Sequence, residues 1–392
     1  MSTLKVNTIR HTGASSDAVT LASDGTCTAK ITNNLSNRNL IINGAMNIAQ
    51  RGTSTTTNND FPVDRFRGGF SGIDGTITFS QHALTSSDTG PWAKGFRNSC
   101  HVINGNQTGG AGTSDKIEFY TRLEAQDIAN SGWDYTSTSS YITLSFWVKS
   151  SVAQNFYGYI INLDGTIKNY PFETGALSAN TWTKITKTLP GHADLSFNND
   201  NGEGLRIVIL PFLGTDQTGS VSTGSWSTYN SATRTPDNTS TWYTTDDATF
   251  EFTGVQLEVG DVATDFEHRS YGDELARCQR YYYRWTAGAA DNLVWLGQSW
   301  GTSAAFGVIK NLPVTMRATP TSTVSGTYVP FGDDAGTSGH TAFSSKTMNK
   351  NNPDQLGTNG WTGATGIGSG GGKAVVVTVE EAAGYIDASA EL

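Results

Sequence analysis

The chain has 392 residues, of which 36% are hydrophobic and 16% charged, where about 25% charged is usual. Its 44 glycines accompany 10 Trp, 14 Tyr and 17 Phe, an aromatic load that excludes disorder. A net charge of −9 and a pI near 5.1 argue against a nucleic-acid partner, because phosphate binding needs a basic face. The length leads to an expectation of two or three domains. Short aromatic or β-branched runs between Gly, Thr, Ser and Asn predict an all-β protein. No apolar run of about 18 residues is present to enter a membrane, and no signal segment opens the sequence, so a soluble cytoplasmic product is expected. Cys27, Cys100 and Cys278 are odd in number and far apart. They read as small buried hydrophobes rather than a disulfide framework or a zinc site.

Residues 1–36 alternate weakly around an Asp24-Gly25 hairpin signal. Strands this short cannot bury a core alone, so the segment is expected to need a partner. Strand signals are dense from 37 to 269. Tyr141 to Lys149 places Ile142, Leu144, Phe146 and Val148 on one face. Runs at 154–163, 181–189, 205–210 and 249–259 follow, and in the last the inward phase slips at Gly254, as at a β-bulge. Such a series predicts a central jelly-roll β-sandwich. Ser270 with Asp273, and Asp273 with Arg277, predict a capped linker helix over 270–284. Its stripe Tyr271, Leu275, Cys278 and Tyr282 has coiled-coil spacing and is a candidate three-fold seam. Residues 285–392 read as a small distal β-sandwich with strands near 293–298, 305–309 and 374–379. The tract between 332 and 372 reads as loop.

Chemistry-bearing motifs are few. Gly366 to Gly371 matches G-x-G-x-x-G but follows no predicted strand and opens no helix, so it reads as a loop. The six histidines are scattered, and no nucleophile elbow or metalloprotease helix occurs. Glu251 and Glu258 fall on the polar phase of their strand and are expected to face solvent. Asp246-Asp247 before a strand offers oxygen ligands to a structural Ca²⁺, and no other cofactor is expected. Trp and Tyr faces stack on sugar rings. Trp226, Tyr229, Trp242, Trp295, Trp300 and Trp361 lie in polar, turn-like surroundings and are the glycan-binding candidates.

Several blocks carry a resemblance. "NLIINGAMNIAQRGTS" at 39–54 and "DRFRGG" at 64–69 resemble the opening of a domain recurrent in tailed-phage fibre proteins. "IEFYTRLEAQDIA", "YITLSFWVKSS", "NTWTKITKTLPG", "FEFTGVQLEVGDVATDFEHRSYGDELARCQRYY", "NLPVTMRATPT" and the closing "GYIDASAEL" resemble it further, and "MSTLKVNTI" is similar to the start of cyanophage fibre proteins. The middle domain resembles jelly-roll carbohydrate-binding modules. The resemblance implies a non-enzymatic virion protein, usually a homotrimer, made in the host cytoplasm. Its N-terminus would join other virion tail or adaptor proteins and its outer domains would meet host surface polysaccharide. It names no binding residues. A head or collar decoration without glycan binding is the alternative. A polysaccharide depolymerase fits less well, because no short-rung β-helix periodicity is visible.

Overall fold

The structure, a computed structural model, describes residues 5–392 apart from 16, 26, 30–36, 289–291, 333–340, 366 and 368–370. A six-stranded sheet runs, in spatial order, through Thr183–Pro190, Tyr141–Ser150, Thr249–Val259, Asn98–Ile103, Thr78–Ala83 and Ser54–Thr55. A seven-stranded sheet runs through Ser227–Thr228, Lys168–Ala176, Asn155–Asn162, Glu203–Leu213, Lys116–Glu124, Phe66–Ser71 and Asp60–Val63. The pairings are antiparallel, and neighbours such as Tyr141–Ser150 and Thr249–Val259 are distant in sequence. The result is the expected jelly-roll-like sandwich.

Alternation sets the core. Ile142, Leu144, Phe146 and Val148 are all buried, as are Phe250, Phe252, Val255 and Leu257. Phe119 meets Phe79 and Phe252 edge-on with centroids 5.0 and 5.1 Å apart, the arrangement that ring quadrupoles favour. Each such side chain contributes about 1.5–3 kcal/mol on burial. The phase slip at Gly254 is a real bulge: the register against Tyr141–Ser150 shifts between Ser145 and Trp147, and Gly254 has φ +65°.

Thr8–Ile9, Val19–Leu21 and Cys27–Ala29 form a separate three-stranded sheet. Its apolar residues are uncovered: Val6, Ile9 and Leu21 are 37%, 55% and 38% exposed. Cys27 is exposed too, against expectation, while Cys100 and Cys278 are buried. The distal unit has a five-stranded sheet and a three-stranded one. Its last strand, Tyr385–Ser389, lies between Tyr282–Thr286 and Thr321–Ser325. The tract expected to be loop contains the strand Gln355–Thr362. Its Gly, Asn and Thr residues, and a register slip between Thr358 and Trp361 that breaks the alternation, hide the buried positions Leu356 and Trp361. Of the glycine-rich motif at 366–371, only Ile367 and Gly371 are among the described residues.

The helix is real but shorter than expected, Tyr271–Gln279. Ser270 caps it through Asp273 N–H at 3.2 Å, and Arg277 pairs with Asp273 at 3.3 Å. The four-residue stripe does not stay together. Cys278 is buried in its own chain, Tyr282 belongs to the next strand and is buried there, and Tyr271 is 64% exposed. Leu275 is half-buried. Helical spacing ends at Gln279, so the seam pattern breaks with it.

Directly after the helix lies a polar junction built from the blocks singled out in the sequence. Glu124, fully buried, accepts two hydrogen bonds from Arg280 at 2.8 Å and one from the Tyr281 hydroxyl at 2.6 Å. Arg65 stacks over the Tyr281 ring at 3.4 Å and pairs with Glu391. Gln50 donates to Asp64 and to the Tyr282 carbonyl, and Tyr282 and Arg284 both donate to Asp387 at 2.8 Å. Tyr281 and Tyr282 are thus structural: they bind the distal unit to the sandwich.

Candidate functional site

The outward face of the six-stranded sheet should be plain solvent surface by alternation. Instead, two segments cross it. Residues 84–97 form a strap carrying the short 3₁₀ turn Trp92–Lys94. Residues 261–268 fold back from the end of Thr249–Val259. Between them lies a cleft of about 280 Å³. Ser145, Trp147, Lys184 and Gly254 belong to its sheet floor, while Ala93, Lys94 and Phe96 come from the strap and Asp265, Phe266 and His268 from the returning segment.

Each wall has a local cause. The Gly254 bulge lets Phe96 lie against the sheet, for a Cβ there would meet the Phe96 ring at 2.6 Å. Phe96 in turn meets Phe266 edge-on at 4.8 Å. Gly90 of the strap approaches the Trp147 ring so closely that a Cβ would lie 2.7 Å from it. Trp147 and Lys184 are opposite residues of an antiparallel pair and share this face. Ser145 is 3% exposed, lines the cleft, and has no hydrogen-bond partner for its hydroxyl among the described residues. Lys94 pairs with Asp265 at 3.3 Å, whereas Lys184 has no carboxylate at ion-pair distance among the described residues.

Beside the cleft the strap is held by a charged row. Lys149 bridges Asp88 of the strap and Glu251 of the sheet, at 3.0 Å each. Glu251 also accepts from Ser99 at 2.9 Å and lies 3.0 Å from His82 Nδ1. Burial pushes the Glu251 carboxyl up, but the His82 contact and the Lys149 ammonium outweigh it and hold the group below its ordinary value. Asp88 is likewise held down against its burial, by hydrogen bonds from Trp182, the Thr85 backbone and Lys149. His101, 3.1 Å from the Ser80 hydroxyl, is held below the ordinary histidine value, mainly by burial. Glu258 is fully buried and accepts from Thr264 and Gln256. Both glutamates therefore lie on the face that alternation assigns them, yet neither meets solvent, because the strap and the returning segment cover that face.

The residues proposed from sequence scatter. Trp361 and Trp295 are 0% and 3% exposed, packed edge-on at 5.8 Å in the distal core, and offer no face to a sugar. Trp242 is fully buried and donates to the Thr249 carbonyl. Trp226 is half-buried, donating to the Pro190 carbonyl at 2.7 Å, and Tyr229 packs beside Tyr120 and Tyr159. Only Trp300, at 65% exposure beside Phe306, is open as expected. Their polar neighbours mark turns at strand ends, which suits core aromatics equally well. Asp246 and Asp247 are exposed, and among the described residues no three His, Cys, Asp or Glu gather as a metal site. Trp147 was missed. Its signal was an aromatic on the polar phase of the alternating run Tyr141 to Lys149.

No family model and no curated protein matches the chain. Among solved structures it is similar to the enzymatically active domain of bacteriophage CBA120 tailspike protein 4, at 11% identity and TM-score 0.29. That likeness covers 56% of this chain and 21% of the other, so the chain spans about a fifth of that protein's length. It is also similar to a CBM4 structure, at 14% identity and TM-score 0.28, covering 55% of this chain and 97% of the other. The N-terminal cellulose-binding domain of Cellulomonas fimi β-1,4-glucanase C is a further likeness, at 13% identity, TM-score 0.27, and coverage of 54% and 97%.

Proposed function

We propose that this chain is a fibre subunit of a tailed-phage virion that binds host surface glycans without cutting them. The observation that carries the glycan reading is the cleft floor. A half-buried Trp147, a hydrophobic wall at Phe266 and an unpartnered Ser145 hydroxyl are the two components a sugar needs, an apolar face and a hydrogen-bonding group. The fibre role is supported by the ordered sequence blocks and by the uncovered apolar residues of the N-terminal sheet, which suit attachment to other virion proteins. Glycosidic cleavage needs one carboxyl kept protonated as an acid. Glu251, held ionised and enclosed, is unsuited to that role. Three copies per fibre would raise effective concentration and turn weak single contacts into firm adsorption. The test is adsorption of labelled protein to host cells. Trp147→Ala is expected to lower it at least about tenfold with the fold intact. Undiminished adsorption rejects the cleft, and new reducing ends after incubation with host polysaccharide reject the non-enzymatic reading.

A further inference from the structure

Resting on the glycan reading above, we propose that the cleft selects an acidic saccharide, one whose carboxylate or sulfate meets Lys184 while its ring lies over Trp147.

Three observations converge. Lys184 stands directly across from Trp147 on the same sheet face, so its ammonium and the indole are presented to one ligand. The other charges on the cleft, Lys94 and Asp265, neutralise each other at 3.3 Å, which leaves Lys184 as its uncompensated cation among the described residues. His268, also on the rim, has Nε2 2.8 Å from the Lys94 carbonyl and is thereby committed as a donor to the protein. Finally, the Ser145 hydroxyl lines the cleft and makes no hydrogen bond to another described residue, so it can meet a ligand's polar group. A neutral sugar would satisfy Ser145 and Trp147 but leave Lys184 unused. An acidic one satisfies all three.

This charge preference runs against the net charge of −9 on the whole chain. The two effects separate by range. Repulsion from the bulk charge is screened beyond about 8 Å at physiological salt, whereas a contact pair is screened less. Recognition of an anion at one site is therefore compatible with an acidic surface elsewhere, and the acidic surface limits adsorption to anions that fit the cleft.

The intact protein is titrated at physiological salt with an oligogalacturonate, a sulfated galactan oligosaccharide and the unsubstituted galactan of the same length. At least one acidic probe is expected to bind about tenfold tighter than the neutral one. Lys184→Gln is expected to remove that preference, bringing acidic and neutral probes to the same affinity. Ser145→Ala is expected to weaken all probes by a smaller factor while leaving thermal stability unchanged, since the hydroxyl bonds no other described residue. A single preferred acidic probe identifies carboxylate or sulfate as the partner. Equal binding of neutral and acidic probes, or a preference that survives Lys184→Gln, overturns the acidic assignment and keeps the glycan site. Binding untouched by both Trp147→Ala and Ser145→Ala overturns the site itself.

Discussion

Trp361 and Trp300 have similar sequence surroundings and opposite fates. Trp361 is enclosed by Trp295, Tyr328 and Phe343, with ring centroids 5.8, 5.1 and 5.5 Å away. Trp361→Ala is expected to cost about 3–5 kcal/mol, by lost transfer energy and the cavity left behind. Trp300→Ala is expected to stay within about 0.5 kcal/mol, as exposed positions do. Chemical denaturation of the two variants checks both. The difference was not legible in the sequence, because Gly and Thr flank core and surface aromatics alike. It depends on which face of Gln355–Thr362 is covered, and that is decided by strands far away in the chain. Gly254 shows the opposite case. One small residue out of phase announced its bulge, because only that residue type tolerates the required φ beside a ring. Gly254→Ala is expected to displace Phe96 and narrow the cleft, with weakened ligand binding measured by calorimetry.

At the level of elements, the alternating strands and the helix start were legible, since periodicity and capping are local. The strap at 84–97 was not. Its Gly, Pro and Ser content reads as loop, and only the pairing of Asp88 with Lys149 and Trp182 places it over the sheet. The charged row around that pairing makes stability depend on pH. His101 is depressed in the folded state, so the unfolded chain takes up its proton first as pH falls below the ordinary value of 6.5, and stability is lost. Glu251 and Asp88 are also depressed, so their contribution is present above the ordinary carboxylate range and is lost in acid. Melting temperature is expected to fall in two stages, first below about pH 6.5 and again below about pH 4. His101→Asn should abolish the first stage and leave the second. A single acid transition unchanged by that substitution would show that His101 does not set the upper stage.

For the whole molecule, the junction fixes how the distal unit sits on the sandwich. Glu124→Ala strands the Tyr281 hydroxyl and the half-exposed Arg280, at an expected cost of about 1–3 kcal/mol. Faster amide exchange in Tyr282–Thr286 and Tyr385–Ser389, with the sandwich core unaffected, would register the loosening. Those two strands also have a topological meaning. They pair antiparallel in continuous register from Tyr282 opposite Ser389 to Thr286 opposite Tyr385. The ladder closes where Ala287 N–H meets the Gly384 carbonyl at 2.8 Å. The chain therefore leaves and re-enters the stem at almost one point. Yet Thr321–Ser325 also pairs along the whole of Tyr385–Ser389, and Arg317 donates to the Asn201, Ala390 and Glu391 carbonyls. The intervening segment is thus tied back to both stem and sandwich. A segment exchanged for it by recombination or engineering would have to bring a third strand for Tyr385–Ser389 as well as ends that meet across one hydrogen bond. A replacement without that strand would leave one edge of Tyr385–Ser389 unpaired, so exchange is limited to segments that carry their own stem strand.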